Sequence, residues 1–347
     1  MVKKQLFVSC IAVCFIAFSS CIGTHTHILD IGEGIPLDPL FVKTVNTSSF
    51  RHLMLLGNEL FCFPELKDVS FVLDTALLEE KGRWSSIGKG PGEYVHAIVM
   101  NTEPGDTSFW ILDERLHKLC RHVKKGSDYT SIVEDRNILY IPQPPIGGGC
   151  VLNGCYVVGS APFGIKGTSP LIVTDCDGSF HRSIGTLPDK AHESVTKTVL
   201  DGRMTDYRTY GSEIAACDTS FVQAMTYYGY ISFWEMLKDG EVRLIKEQFL
   251  EPIKYKGDNT LDARSLKRGF IRVAMSGKYV FATYCGKPYD DRYVANDLLV
   301  FSHDGEFICR YSLDKNVGEI SVTKDGKTLF AEISDPDVGI AVYRLPL

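Results

Sequence analysis

Glu93, Tyr94 and His96 follow Gly88, Gly90, Pro91 and Gly92 within the stretch SSIGKGPGEYVHA, Ser85 to Ala97. Glycines beside an acid and an imidazole are the ingredients of a phosphate cradle with general acid–base groups attached. The spacing argues against that chemistry. A nucleotide loop needs Lys followed by Ser or Thr and then a helix, whereas Lys89 is followed by Gly90 and Pro91. A dinucleotide fingerprint must open a helix inside a βαβ unit, and no helical periodicity follows here. Pro91 lacks an N–H and restricts Gly90, while the glycines permit positive φ. The stretch is expected to be a compact turn from the outer strand of one sheet into the inner strand of the next. Glu93 there either accepts backbone N–H groups or meets a ligand, and His96 is a weaker ligand candidate.

Other catalytic templates are incomplete. The serine elbow G-x-S-x-G is missing, since GTSPLIV and VGSAPFG have neither its spacing nor its strand-to-helix context. TDCDG (Thr174 to Gly178) holds a fragment of a calcium loop without its closing acid, so Asp175 and Asp177 read as turn formers. Glu93, Asp218 and Glu319 fall near strand starts in different parts of the chain. If they converged, their oxygens would hold a hard divalent cation such as calcium, as a lactonase or phosphotriesterase requires. Eight cysteines follow Cys21. They are spread thinly over a chain that does not need stapling, and no second Cys or His pair stands at zinc-ligand spacing beside Cys150 and Cys155. Asn153-Gly154 reads as a two-residue hairpin turn that sets Cys150 opposite Val157, so Cys150 and Cys155 are expected as small buried side chains rather than a bridge.

The elements that would position these residues are strands. After residue 20 the chain repeats a pattern of four to seven β-branched, aromatic or aliphatic residues, a Gly/Asn/Asp turn and another such run. HLMLLGNELFCF, GGGCVLNGCYVVG, VAMSGKYVFATY and SVTKDGKTLFAEI are the clearest hairpins, and each is followed by a second one. Taking the first strand of each second hairpin as a ruler, equivalents fall near Val72, Leu112, Val173, Phe233, Val300 and Val342, at intervals of about 40 to 67 residues. That is the period of propeller blades carrying loop insertions. The expected fold is all-β: a six-bladed β-propeller of four-stranded antiparallel blades. The last repeat stops one strand short, and DPLFVKTVN (Asp38 to Asn46) has no partner of its own. The N-terminal strand is therefore expected to join the C-terminal blade and remove two sheet edges.

The first residues bear on location. Lys3 and Lys4 precede the apolar run LFVSCIAVCFIAF, which has signal-peptide length and is too short to span a bilayer. SSC at Ser19 to Cys21 resembles the lipobox at which a bacterial lipoprotein signal is cut and the new N-terminal cysteine acylated. The expected organisation is a signal peptide at 1–20, a linker at 21–35 behind lipidated Cys21, and a single propeller at 36–347. The stretch from Ala295 to Leu345 resembles the C-terminal half of the TolB-like six-bladed propeller lipoproteins of Bacteroides and relatives, with its Asp-Gly turn, Leu-Asp step and final TLFA blade. GKGPGE resembles the glycine–proline signature those proteins carry after their first blade. The resemblance covers essentially the whole chain after the signal; it implies the fold and an envelope location, inner face or surface undecided, and assigns no activity.

Charge narrows the partners. The chain carries a net −6, and losing 1–20 removes two lysines and no acid. A negative chain without a basic run is not expected to bind nucleic acid. Membrane contact is expected through the lipid anchor only, and the chain is expected to be monomeric. The long polar loops fall on the face that surrounds the channel mouth, where function concentrates. They bring His192, Tyr207, Arg208, Arg264, Arg268, Tyr284 and Arg292 beside Glu93, Tyr94 and His96 as the candidate ligand face. The reading is a non-enzymatic envelope module that binds a protein, peptide or glycan there without a cofactor; the alternative is a metal-dependent hydrolase with a divalent cation in the channel.

Overall fold

A computed structural model describes residues 28–65, 70–83, 86–90, 93–100, 108–113, 115–116, 118–125, 128–133, 139–140, 149–153, 156–160, 171–175, 181–184, 211–252, 267–288 and 294–347. Strands make up the regular structure, and no helix occurs among the described residues. Two short strands come first, β1 (Ile35–Leu37) and β2 (Phe41–Thr44). The first meander is β3 (Phe50–Leu56), β4 (Glu59–Pro64), β5 (Phe71–Asp74) and β6 (Glu80–Arg83). A small parallel pair, β7 (Ser86–Ile87) and β8 (Glu93–Tyr94), leads to the second sheet: β9 (Ala97–Met100), β10 (Ser108–Asp113), β11 (Lys118–Lys125) and β12 (Asp128–Val133), with β13 (Leu139–Tyr140) on β11.

Two more antiparallel meanders follow. One comprises β14 (Gly149–Leu152), β15 (Tyr156–Ser160), β16 (Leu171–Asp175) and β17 (His181–Ile184). The other comprises β18 (Ser212–Cys217), β19 (Ser220–Met225), β20 (Tyr230–Met236) and β21 (Val242–Phe249). The last sheet is continuous through β22 (Phe270–Met275), β23 (Tyr279–Tyr284), β24 (Ala295–Ser302), β25 (Phe307–Val322), β26 (Thr328–Ile333) and β27 (Gly339–Arg344). Its continuity comes from the 16-residue β25. The first part of β25 pairs with β24, from Phe307 opposite Phe301 to Val317 opposite Ala295; the last part pairs with β26, from Val317 opposite Ile333 to Val322 opposite Leu329. Val317 takes part in both pairings, and a register shift follows it on the β26 side, between Val317 and Ile320. β2 lies antiparallel on β27, with Phe41 opposite Val342 and Thr44 opposite Gly339.

Alternation of side chains along each strand puts apolar residues on both faces of the first three strands, because each sheet is covered by a neighbour on either side. The core is accordingly divided into layers. Phe61 and Val72 meet Val99 and Ile111 between the first two sheets, and Met100 and Trp110 meet Val151 and Val157 at the next interface. Val173 meets Phe221 and Trp234 beyond that, and Phe233 meets Phe301 at the following one. Leu60 and Leu73 pack on Phe330 and Val342, which joins the first meander to the last strands. The first strands of the sheets, β3, β9, β14, β18 and β22, stand side by side in that order, and β25 comes next to β22 and lies again beside β3.

Three expectations change. Leu112 lies in β10, the second strand of its sheet rather than the third. The inner strand there is β9, so Glu93 and Tyr94 stand ahead of it in β8. Leu152 faces Tyr156 and Cys150 faces Val158, so the hairpin loop is one residue longer than the two-residue turn expected, with Asn153 at φ 50°. Residues 28–35 lie against the sheets: Leu29 N–H donates to Phe249 O at 2.7 Å, Leu29 and Ile31 pack on the core, and Ile35 pairs with Tyr311 in β25. These residues carry enough apolar surface to be held against the sheets once β21 and β25 offer it.

Candidate functional site

The first strand of each sheet lines a narrow axial cavity of about 70 Å³, from His52 in β3, through Val99, Gly149 and Ile214, to Arg272 and Ser321. Above it opens a cavity of about 810 Å³ on the face where these strands begin. Glu213, Arg272 and Glu319 line both cavities and form the partition between them. Each is the charged residue at or near the head of an apolar inner strand, and the apolar residues that follow hold the strand in place by packing on both sides.

Arg272 is the centre of the partition. Its Nε donates to Glu319 Oε1; its Nη1 donates to Glu213 Oε1 at 2.9 Å and to the Ile271 carbonyl at 2.7 Å. Glu319 is only 4% exposed, and its Oε2 lies 4.0 Å from His52 Nδ1, beyond hydrogen-bond reach. Glu332 in β26 accepts the Phe50 N–H at 2.8 Å and the Glu319 N–H at 3.1 Å, which fixes the heads of β3 and of the second half of β25. Ser321 Oγ accepts the Leu55 N–H at 3.0 Å farther along the same junction.

Burial dominates the electrostatics of this floor. Burial pushes Glu319 up to about 8; Arg272 opposes the shift, and Glu213 and Glu332 reinforce it. Burial raises Glu213 against the pull of Arg272, and raises Glu332 against its backbone hydrogen bonds from Phe50 and Glu319 and the weaker pull of Arg272. Burial works against the charge on Arg272, yet Glu213 and Glu319 overcome it and raise its proton affinity further. Burial, with Arg272 next, lowers His52 well below the ordinary imidazole range, so His52 is neutral at pH 7. Three carboxyls thus share one guanidinium across the floor.

The residues expected from the sequence take different places. Glu93 Oε2 accepts the Gly90 N–H at 2.8 Å, and a Cβ on Gly88 would run into the Glu93 carboxylate, so Gly88 lets that side chain fold over the turn. Tyr94 is not a mouth residue: it is buried in the core between the first two sheets, with its hydroxyl on His122. His96 is held at the entry to β9 by Asp113, whose Oδ2 accepts the Val95 and His96 N–H groups. Arg268 is fully buried, where the chain crosses the fourth sheet on its way into β22. Tyr284 is buried as well and donates to Glu251 at 3.4 Å, beside the 2.7 Å Lys267–Glu251 ion pair. Cys21, His192, Tyr207, Arg208, Arg264 and Arg292 lie outside the described residues.

The alternative metal set does not meet. Asp218 is exposed at a hairpin tip with φ 56°, at the far end of β18 from Glu213. Six residues of strand separate the two ends by roughly 17 Å at 3.4 Å per residue. Glu319 is tied through Arg272 to the Glu213 end, and Glu93 is folded onto its own turn. Among the described residues no three His, Cys, Asp or Glu side chains are placed to share an ion. Glu319 alone of this set reaches the cavity; Glu213, Arg272, Glu332 and His52 were not singled out from the sequence. Comparing the repeats could have found them, because His52-Leu53, Glu213-Ile214, Arg272-Val273 and Glu319-Ile320 repeat one charged or imidazole residue before an apolar one at the strand head.

No family model and no curated protein matches the sequence. Solved structures do resemble the fold. A Bacteroides fragilis protein named as a candidate for export matches with a TM-score of 0.58 at 11% identity, over 92% of this chain and 97% of that one. The fold is a β-propeller. The WD40 repeats of RRP9 (TM-score 0.49, 10% identity, 88% of this chain and 97% of that one) are weaker matches. So is the β-propeller domain of Cps50 from Myceliophteria thermophila (TM-score 0.43, 10% identity, 89% and 100%). At such identities the likeness concerns architecture alone, and the chemistry of the mouth has to be argued from this chain's own residues.

Proposed function

We propose that this protein is a six-bladed propeller closed by β2, anchored to the cell envelope through an acylated Cys21, and that it binds a ligand at the mouth of its channel without catalysing a reaction. The observation that carries the reading is the cavity of about 810 Å³ where inner strands from several sheets begin, floored by Arg272, Glu213 and Glu319. Its volume is in the range of ligand pockets. Charged groups taken out of water and held by one another are the kind of feature that folding stability alone does not call for. The cyclic order of the first strands and the core layer between Leu60 and Phe330 support the closed count of blades.

The floor has hydrogen-bonding and charge to offer a ligand, and it has neither an activated nucleophile nor a base–orienter pair. A binding role therefore fits better than catalysis. The test is retention of envelope components by the immobilised protein, compared with a rim variant in which Arg51→Glu and Glu65→Lys reverse two lining charges. Loss of specific retention with an unchanged far-UV spectrum is expected. Undiminished retention by the rim variant would place the ligand elsewhere. The anchor is tested separately by Cys21→Ala, which should release the protein from the membrane fraction.

A further inference from the structure

The mouth occupies one end of the sheets, and exposed apolar side chains gather at the other. Inner strands begin at the mouth cavity, so in each antiparallel meander the third strand ends, and the fourth begins, at the opposite end. Leu77 lies there in the turn between β5 and β6, and Leu237 in the turn between β20 and β21. Ile308 is the second residue of β25, the fourth strand after β22, β23 and β24. β2 runs antiparallel to β27, so Leu40 and Phe41 at its start stand beside the end of β27, and Leu347 lies just beyond. All six are exposed, Leu77 at 64% and Leu40 at 62%. They follow one another round the molecule, because β18, β22, β25 and β3 are consecutive neighbours. Apolar side chains grouped in this way mark a contact surface, whereas scattered ones do not.

The N-terminal chain comes in from that same end. Ile28 lies parallel to β21 opposite Phe249, and Leu29 N–H donates to the Phe249 carbonyl at 2.7 Å. Parallel pairing directs the chain before Ile28 toward the side where β21 begins. Cys21 is seven residues before Ile28, and Val242, where β21 begins, is seven residues before Phe249. Seven residues extend to about 24 Å at 3.4 Å each, so a lipid on Cys21 reaches the end of the sheets that carries Leu237 and Ile308. Charge does not select a partner there. Exposed lysines of the turns, such as Lys238, Lys278 and Lys324, are matched by exposed acids such as Asp218, Asp239 and Asp304. The apolar residues decide, and the apolar phase within reach is the bilayer that holds the anchor.

We propose that this end of the propeller lies on the lipid bilayer, with Leu40, Phe41, Leu237 and Ile308 among the headgroups and the channel mouth turned away from the membrane. The proposal goes beyond the binding reading above and rests on its anchor at Cys21. A few apolar side chains inserted at the surface bind weakly by themselves. The tether keeps the bilayer at a high local concentration, which makes a weak contact lasting. With charges of both signs at the turns, the contact needs no anionic lipid. The mouth is left open to the aqueous side, where a ligand can enter it.

The whole protein, extracted from membranes and reconstituted in phosphatidylcholine vesicles with and without lipid brominated on its acyl chains, tests the orientation. Leu40→Trp and Ile308→Trp put an indole at the apolar end, and Asn316→Trp puts one at the mouth. The parent protein supplies the background of the native tryptophans. Bromolipid is expected to quench the added fluorescence about twofold at positions 40 and 308 and to leave position 316 unchanged. The proposal is overturned if positions 40 and 308 are not quenched, or if position 316 is quenched as much. It is also overturned if positions 40 and 308 are shielded from aqueous acrylamide without being quenched by bromolipid, which would assign this end to a second copy of the chain. Mass spectrometry of the N-terminal peptide keeps the two readings apart. An acylated Cys21 without quenching removes the docking and leaves the anchor; an unmodified Cys21 with quenching at both positions removes the anchor and leaves the docking.

Discussion

Replacing Glu332 tests the junction between the two ends of the chain. Its carboxylate spans 282 residues of sequence to accept the Phe50 N–H at 2.8 Å, and it accepts the Glu319 N–H at 3.1 Å. Alanine would leave both N–H groups without their acceptor. Orphaning a buried donor costs about 1–3 kcal/mol, and Glu332 borders the mouth cavity, where water can replace part of what is lost. Relief of repulsion between Glu332 and Glu319 works the other way and is the smaller effect. The expected loss for Glu332→Ala is therefore roughly 2–4 kcal/mol. Glu332→Gln keeps one acceptor oxygen and should lose about half as much. Urea denaturation followed by tryptophan fluorescence and circular dichroism measures both, with the slope of the transition unchanged. The reasoning is refuted if Gln costs as much as Ala, or if both variants unfold within about 0.5 kcal/mol of the parent.

Three further outcomes follow from the geometry. Between its ordinary value of 4.5 and the value of about 8 set by burial, Glu319 binds a proton in the folded chain that the unfolded chain has released, so stability falls as pH rises through this window. Urea midpoints at pH 5 to 9 should show the fall, on the order of a few kcal/mol, and Glu319→Gln should reduce it; an unchanged slope would refute the assignment. Gly305→Ala should destabilise by about 2–3 kcal/mol, because φ is +78° and the added Cβ would stand 2.6 Å from the Phe233 ring. Gly57→Ala, at φ +61° with open space, should lose only about 1 kcal/mol, and equal melting-temperature shifts would contradict this contrast. Burial raises the Cys62 and Cys150 thiols, so native-state alkylation mapped by mass spectrometry should reach half-buried Cys285 first and those two only as the chain unfolds; prompt labelling of Cys62 would refute their burial.

The strands were legible because their signal is local. Period-two runs bounded by Gly, Asn and Asp turns, such as HLMLLGNELFCF, became β3 and β4 with Gly57 at positive φ. Leu112 was placed one strand too late because β9 is only four residues long and is joined to β10 by NTEPGDT rather than a tight turn. The hairpin signal there is weak, and the next strong strand took its place. Tyr94 and Arg268 were expected at the surface because they flank polar loops, and packing against neighbouring sheets, which the sequence does not display, buries both. The charged floor was missed for a related reason. Its members stand far apart along the chain, one to an inner strand, so no spacing motif announces them. Only alignment of the repeats, or the fold itself, brings Glu213, Arg272 and Glu319 together.

The pairing of β2 with β27 has a consequence for the timing of folding. β2 is made among the first residues and finds its partner among the last, and the Phe50–Glu332 bond crosses 282 residues. During synthesis the first meander therefore waits with Leu60 and Leu73 uncovered until Phe330 and Val342 arrive. Contacts of such long range slow folding, and strands left uncovered meanwhile invite aggregation. A chain interrupted before β27 therefore lacks the element that covers its first meander.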